Sequence, residues 1–583
     1  MTFSVDGIAA FLLLPLAVWI LISGIDDLII DGAGLLAWLR SRRQKQPGRR
    51  ELLRIAQRRI AIFVPCWQES PVLERMISGN RERVNYDNYD FFVGAYPNDV
   101  DTIRVARDLE MRFNNVHLAL CPHPGPTSKA DCLNWIYQRM CLFERSRLVA
   151  FDVIVTHDAE DVIHTDSLRW INFYSGDYDM IQIPVLPLPT PVSDWTHGVY
   201  CDEFSEYQCR DMPARQWMGA FVPSNGVGTG YVRAALESLA ADEGNRIFEP
   251  VCLTEDYENG LRLRLRSARQ IFVTVRGDEV STREFFPRTF RSAVKQRTRW
   301  ETGNALQTWA RHGWTGSWAD RYWLWRGRKG LVGNPASLLA NVLFLYGLMV
   351  RGGAFGQRLG ELGPLLACTA AVGLYRVGFR AYCVGRRYGW RIGAAVPPRV
   401  VLANCINTLA TVRAIGIYAR ARVLSQPLRW VKTAHQYPCI SALQPPRRML
   451  GDLLVANGYA TAQQVSEALE TRAEGQRLGE RLIEMGYLGQ EDLYEVLSLQ
   501  SQLPVSAVHP REVSQRVARS LPKRVIRELQ VLPFRVEDGK LLLATPGIPP
   551  GSTASAVKRF TRLDVRFHLV LPDQYQRLVR ELL

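Results

Sequence analysis

From Ile8 to Ile25 the chain carries no charged residue, and this run constrains its architecture more than any other feature. An apolar segment of this length is just long enough to cross a bilayer as a helix. Asp26 and Asp27 interrupt it, a second apolar stretch runs to Leu39, and Arg40, Arg42, Arg43, Lys45, Arg49 and Arg50 follow at once. A cleaved signal peptide carries its positive charge ahead of the apolar core. Here the charge comes behind, which marks a membrane anchor whose chain enters the cytoplasm near Arg40.

Two further crossings are expected at Leu331 to Val350 and Leu362 to Phe379. Their basic flanks, Arg326, Arg328 and Lys329 and then Arg380, Arg386, Arg387 and Arg391, lie on the inner side. The stretch Val400 to Tyr418 is broken by Asn404, Asn407, Thr408, Thr411 and Arg413 at helical spacing, so it reads as an amphipathic helix lying in the interface. Three crossings are expected, with four as the alternative.

A chain of 583 residues exceeds what one core organises, so several domains are expected. The divisions fall at 1–50 for the anchor, 51–329 for a soluble domain and 330–385 for two spans. An interfacial helix and linker occupy 386–445, and a tail domain 446–583. The net charge of +15 suits an anionic partner, but much of the excess flanks apolar segments, so no nucleic acid polymer is needed to explain it. The 11 cysteines are scattered without C-x-x-C pairs, which points away from zinc or a disulfide framework and toward a reducing compartment.

Between anchor and second span, short apolar runs alternate with longer amphipathic ones, the rhythm of an α/β domain. Ile60 to Val64 reads as a strand ending at Pro65-Cys66-Trp67-Gln68-Glu69. Tyr89 to Ala95 ends at Pro97-Asn98-Asp99, and Val153 to Thr156 delivers His157-Asp158-Ala159-Glu160-Asp161. Acids at the carboxyl ends of successive strands face the crevice where open α/β sheets bind ligands. Carboxylates suit a hard cation such as Mg²⁺ or Mn²⁺, and Asp158 and Glu160, two positions apart, can share one, leaving Asp161 a structural part. Pro65, Glu69, Asp99, Lys129, Asp131, Asp158 and Arg299 are expected around a nucleotide-sugar donor. Asp256, beside Glu255, is the candidate general base for an acceptor hydroxyl attacking an anomeric carbon. On one helix, Gln296, Arg299 and Trp300 offer a hydroxyl partner, a cation for diphosphate and an aromatic face for a sugar ring.

Together these residues resemble family 2 glycosyltransferases, specifically the membrane-embedded, processive, inverting synthases of the cellulose-synthase type; the match covers Ile60 to about Trp300. Several stretches resemble an inner-membrane group first known from bacteriophage adsorption: Ile22-Ser23-Gly24-Ile25-Asp26-Asp27, Tyr96-Pro97-Asn98-Asp99, Gly125 to Asn134, His157 to Asp161 and Trp430-x-Lys432-Thr433-x-His435. The resemblance implies a family A nucleotide-sugar fold between transmembrane helices, a UDP-sugar donor such as a UDP-N-acetylhexosamine, and a divalent metal. It also implies a growing polysaccharide as acceptor, export across a bacterial inner membrane beside cytoplasmic domains, and an outer-membrane export partner. Many relatives carry Asp-x-Asp where this chain has Asp158-x-Glu160.

After Pro445-Pro446 a duplication appears: Leu450-Gly451-x-x-Leu454-x-x-x-Gly458 recurs as Leu478-Gly479-x-x-Leu482-x-x-x-Gly486. The echo continues from Val465 and Leu469 to Leu493 and Leu497. Each unit reads as a helical pair with a glycine turn, and a mixed α/β segment follows, with strands at Val531 to Val536 and Lys540 to Ala544. This tail resembles the N-terminal domain of type II secretion and pilus ATPases that binds cyclic di-GMP through tandem motifs, which implies an allosteric activator. Arg477, Leu478, Gly479, Leu482, Gly486, Leu493, Leu497 and Gln500 form an intact second motif. In the first, which has Leu450, Gly451, Leu454 and Gly458, Met449 replaces the arginine, with Arg448 near, and Arg472 stands in place of glutamine. No Walker A sequence is present, which excludes a secretion ATPase. The competing function is a catalytically silent membrane scaffold or phage-receptor component that uses the fold for binding.

Overall fold

The computed structural model describes residues 4–43, 46–242, 244–276, 279–350, 352–428, 437, 449–473, 475–501, 503–537 and 539–583. Two compact units emerge. The first comprises Met1–Gln46, Arg54–Thr274 and Val280–Leu443; the second comprises Pro47–Leu53, Val275–Glu279 and Gln444–Leu583.

The first unit is built on nine strands: β1 (Ile60–Pro65), β2 (Tyr89–Ala95), β3 (Val116–Leu120), β4 (Val153–Thr156), β5 (Met180–Gln182), β6 (Val185–Pro187), β7 (Thr229–Val232), β8 (Gln270–Phe272) and β9 (Thr282–Glu284). Seven form one sheet in the order β3-β2-β1-β4-β7-β5-β8, with β7 antiparallel to β4 and β5 and the remaining pairs parallel. The strands are apolar on both faces because helices cover both. Phe63, Phe92 and Ile154 are completely buried in a core shared with the helix Lys129–Arg147. The register pairs Pro65 with Gly94 and Phe63 with Thr156, so the loops leaving β1, β2 and β4 emerge along one edge. The chain runs outward through β1, β2 and β3, then returns to place β4 on the other side of β1. That reversal opens a crevice at the carboxyl ends of β1 and β4.

Among the described residues three helices are long and apolar enough to cross a membrane: Val5–Arg43, Trp318–Met349 and Val396–Val423. The pair Gly353–Glu361 and Gly363–Tyr388, bent by 77° at its break, adds a broken or re-entrant element. The two N-terminal apolar runs are therefore one helix, and the crossing expected from Leu362 falls in the bent pair. The stretch Val400 to Tyr418, expected as an interfacial helix, lies in a continuous 28-residue helix, Val396–Val423, that also meets the length and apolarity of a span. Three of its polar residues have protein partners. Thr408 Oγ1 donates to the Asn334 carbonyl at 2.8 Å, Asn334 Nδ2 donates to Thr411 Oγ1 at 2.9 Å, and Asn407 bonds Arg297 and Glu203. Satisfied in this way, polar groups are compatible with an apolar surround.

Asp26, Asp27 and Asp31 on the first helix enter a buried ion network. Asp26 meets Tyr322, Arg326 and Lys329 of the helix Trp318–Met349. Asp27 meets Arg326 at 2.9 Å, and Asp31 meets Arg210 and Arg376, both at 3.1 Å. Glu206 joins Arg210, Arg376 and Arg380.

In the second unit, the helices Leu450–Ala456, Ala462–Thr471, Leu478–Glu484 and Gln490–Ser501 form the two repeats. Gly458 and Gly486 end the first helix of each pair at φ +72° and +71°, where a side chain would be strained. Gly451 and Gly479 serve packing: a Cβ would lie 2.9 Å from Val465 Cγ1 in one repeat and 2.5 Å from Leu493 Cδ1 in the other. Three strands follow, β10 (Leu532–Glu537), β11 (Lys540–Thr545) and β12 (Asp564–Leu569), in that order, antiparallel then parallel. The first two agree with expectation. β12, Asp-Val-Arg-Phe-His-Leu, alternates polar and apolar residues at the strand period but was not among the expected strands.

Candidate active site

Below the edge shared by β1, β2 and β4 lies an open cleft. Its walls include Pro65, Trp67 and Glu69 after β1, Lys129, Asp158 and Glu160, the acids Glu255 and Asp256, and Gln296, Arg299 and Trp300. These residues, from 65 to 300 in sequence, meet in one cavity.

The loop after β1 is held by the start of the helix Val100–Arg112. Gln68, in the left-handed region at φ 56°, donates its N–H to Asp99, and the Glu69 N–H donates to Thr102 Oγ1 at 3.0 Å. Asp99, expected beside the nucleotide, does not line the cleft; its second oxygen accepts from Thr102 N, capping that helix. Asp131 is also outside the lining, where it accepts from the Thr127 hydroxyl at 2.7 Å at the start of Lys129–Arg147. Both shape the loops that carry the lining residues.

After β4, buried Asp161 accepts from the Asp158 N–H at 3.0 Å and pairs with His157 Nδ1 at 2.7 Å, turning the Asp158 side chain into the cleft. There Asp158 Oδ1 lies 2.6 Å from Lys129 Nζ. Burial opposes the Lys129 charge, but Asp158, Glu255 and Asp256 outweigh it and hold the pKa above the usual lysine range. Glu160 is buried on the same wall. Among the described residues no three carboxylate, thiolate or imidazole ligands converge. Two carboxylates fit Mg²⁺ or Mn²⁺ of the kind bound partly by substrate phosphates, and do not fit a closed protein cage.

Glu255 and Asp256 occupy the first turn of the helix Glu255–Leu265. Burial, then the neighbouring Asp256 charge, pushes the Glu255 carboxyl up to about 7, against the pull of Lys129. Burial likewise raises Asp256, opposed by Lys129 and Arg299. Asp256 Oδ1 accepts from the Tyr257 N–H at 2.8 Å, and Gly226, at φ +77°, passes so close that a Cβ there would sit 2.5 Å from Oδ2.

Gln296, Arg299 and Trp300 face the cleft from the helix Phe290–Trp300. Arg299 Nη1 donates to the Leu253 carbonyl at 3.2 Å, tying this helix to the acids. Trp300 packs among Tyr200, Phe204 and Phe286. Sequence reasoning missed Trp67, Tyr96, Asn225, Glu284 and Phe286 in the lining, and Gly226 beneath Asp256. The run Ser224-Asn225-Gly226-Val227-Gly228-Thr229-Gly230 was the available signal.

In the tail, Leu454 and Leu482 are fully buried, and Leu450, Leu478, Leu493 and Leu497 pack against them. Arg472 and Arg477 are exposed, and Gln500 is half-buried. Arg448 and the stretch Trp430 to His435 lie outside the described residues.

Residues 57–303 match the family described as glycosyltransferase like family 2, and residues 501–583 match the MshEN domain. Among solved structures, the mannosyltransferase PcManGT of Pyrobaculum calidifontis in complex with GDP-Man and Mn²⁺ is 18% identical, covering 68% of this chain and 99% of its own at a TM-score of 0.40. MshE with cdg is 26% identical, covering 24% of this chain and all of its own at a TM-score of 0.22. The bacteriophage adsorption protein B of Escherichia coli strain K12 is 34% identical over 610 aligned positions, which take in 96% of this chain and 80% of that protein. Agreement on that scale, running through the transferase region and the tail alike, makes the chain a member of the bacteriophage adsorption protein B family, with a family 2 glycosyltransferase domain and a C-terminal MshEN domain.

Proposed function

We propose that this protein is a membrane-embedded, inverting glycosyltransferase. It extends a polysaccharide from a UDP-activated sugar, of which a UDP-N-acetylhexosamine is the leading candidate, and exports the product. The observation that carries the reading is one cleft holding a half-buried carboxylate of raised basicity, Asp256, together with Lys129 and Arg299. Asp256 takes the proton from an acceptor hydroxyl as its oxygen attacks the anomeric carbon. The bond to the diphosphate oxygen breaks on the opposite side, and the carbon inverts. Arg299 and Lys129 hold the departing diphosphate charge. Asp158 and Glu160 would hold a divalent cation, which supplies further charge neutralisation when bound. Trp300 and Phe286 offer aromatic faces to the acceptor.

The basic residues Arg40–Arg43 ahead of the transferase domain, and Arg420 and Arg422 at the end of the helix Val396–Val423 ahead of the tail, support placing both domains on the cytoplasmic side. The MshEN domain supports control by cyclic di-GMP as an activator, with Arg477, Gly479, Gly486 and Gln500 as the better-formed motif. The kinship with a phage adsorption protein and the export of a polymer are both compatible with an outer-membrane partner.

Membrane vesicles carrying wild type or Asp256→Asn, given a panel of UDP-sugars with and without cyclic di-GMP, test the proposal by UDP release. The amide keeps the shape but cannot take the proton, so turnover should fall by about 10² to 10⁴ while UDP binding persists. Full turnover by Asp256→Asn refutes the base. Wild type that releases UDP from no donor under either condition refutes the transferase and leaves the binding role.

A further inference from the structure

Arg297 lies between Gln296 and Arg299, yet it faces away from the cleft that those residues line. It is 7% exposed. Its Nη1 donates to Glu203 Oε2 and to Asn407 Oδ1, both at 2.6 Å, and Asn407 Nδ2 closes the ring by donating to Glu203 Oε1 at 3.2 Å. The guanidinium carbon sits 4.5 Å over the Tyr200 ring, which stacks on Phe286 at 4.9 Å and meets Trp300 at 6.1 Å. Burial works against the Glu203 charge, but Arg297 and Arg380 overcome it and keep the carboxyl below its usual range, so the pair is ionised at neutral pH.

Three elements therefore converge on one side chain. Glu203 and Tyr200 belong to the helix Trp195–Glu206, Asn407 to the apolar helix Val396–Val423, and Arg297 to the helix that presents Arg299 and Trp300. The planar guanidinium can bond two acceptors and stack on a ring at once, which a lysine ammonium cannot. We propose that Arg297 is a positioning residue for the transfer. By fastening its helix to Glu203 and Asn407, it sets Arg299 and Trp300 at the distance from Asp256 that in-line attack requires. This rests on reading the cleft as a transferase site.

The test uses the full chain in vesicles with Arg297→Lys, Asn407→Ala and the double variant, reading UDP release, sugar incorporated into polymer, and amide hydrogen exchange. A wall displaced by about 1 Å lowers kcat about 10- to 100-fold. The donor KM should stay within about twofold, since Arg299 meets the diphosphate most strongly as its charge develops on departure. UDP released per sugar incorporated rises, which a general loss of folded protein would not produce. The double variant is no worse than the worse single variant, because both open the same ring. Wild-type coupling and rate in Arg297→Lys, or losses that multiply in the double variant, overturn the proposal. If Arg297→Lys fails to fold, Asn407→Ala decides alone, since it removes bonds without removing a charge. Hydrogen exchange separates this idea from the transferase reading. Exchange in Phe290–Trp300 should rise by about tenfold in both single variants while β1 to β4 are unchanged. Unchanged exchange in that helix overturns the positioning role even if no donor is turned over.

Discussion

Replacing Glu255 by Gln should make the protein more stable at alkaline pH and hardly alter it in acid. The Glu255 carboxyl is 3% exposed and held at about 7, against an ordinary 4.5. At about 1.4 kcal/mol per tenfold change in acidity, that gap is worth roughly 3 kcal/mol. The sign follows from proton binding. Between pH 4.5 and 7 the folded chain keeps a proton that the unfolded chain has released, so stability falls as pH rises through that window. Below the window both states are protonated and nothing is lost; above it the full cost is present. Glutamine has no proton to lose and nearly the same shape. Glu255→Gln is therefore expected to melt roughly 6 °C above wild type at pH 8 and within about 2 °C at pH 5, taking some 2 °C per kcal/mol for a domain of this size. Differential scanning of the detergent-solubilised chain at the two pH values measures this. An equal gain at both would show that the effect is not the titration of this carboxyl. A loss at pH 8 would show that Glu255 is ionised at little cost, and the reasoning would fail.

Gly226→Ala places a Cβ against Asp256 Oδ2 at a backbone φ of +77°, so turnover should drop at least about tenfold and stability by about 1–3 kcal/mol. Unchanged UDP release would show that the Asp256 carboxylate has room to move. Asp26→Asn leaves Arg326 and Lys329 short of a buried counter-charge, and should cost about 3–5 kcal/mol in thermal unfolding. A melting temperature unchanged from wild type would mean that the ion network adds nothing to stability.

The sheet and the acids were legible because each signal was local. Val153 to Thr156 is a short apolar run bounded by polar residues, and Asp158, Glu160 and Asp256 were found where the strand ends and the helix start put them. What could not be read was partnership at long range. Asn407 and Thr408 look like a water-facing stripe until Arg297 and Asn334, 110 and 74 residues away, are seen to satisfy them. Asp99 has the residue type and strand-end position of a ligand contact, but only the fold reveals that its oxygens hold Gln68 and Thr102. Gly226 could not be singled out among its neighbouring glycines because its significance is proximity to a side chain thirty positions later.

The ion network around Asp26, Asp27 and Asp31 also has a history in time. These aspartates are synthesised well before their cationic partners: Arg326 follows Asp26 by 300 residues and Arg376 follows Asp31 by 345. At about 5–20 residues per second, the carboxylates wait roughly 17 to 70 s for their last partner. Through that interval their charge lacks the partners that offset its burial, so the first helix reaches its final packing only when the arginines arrive. A chain truncated before Arg376 should therefore be cleaved by protease faster than the full chain.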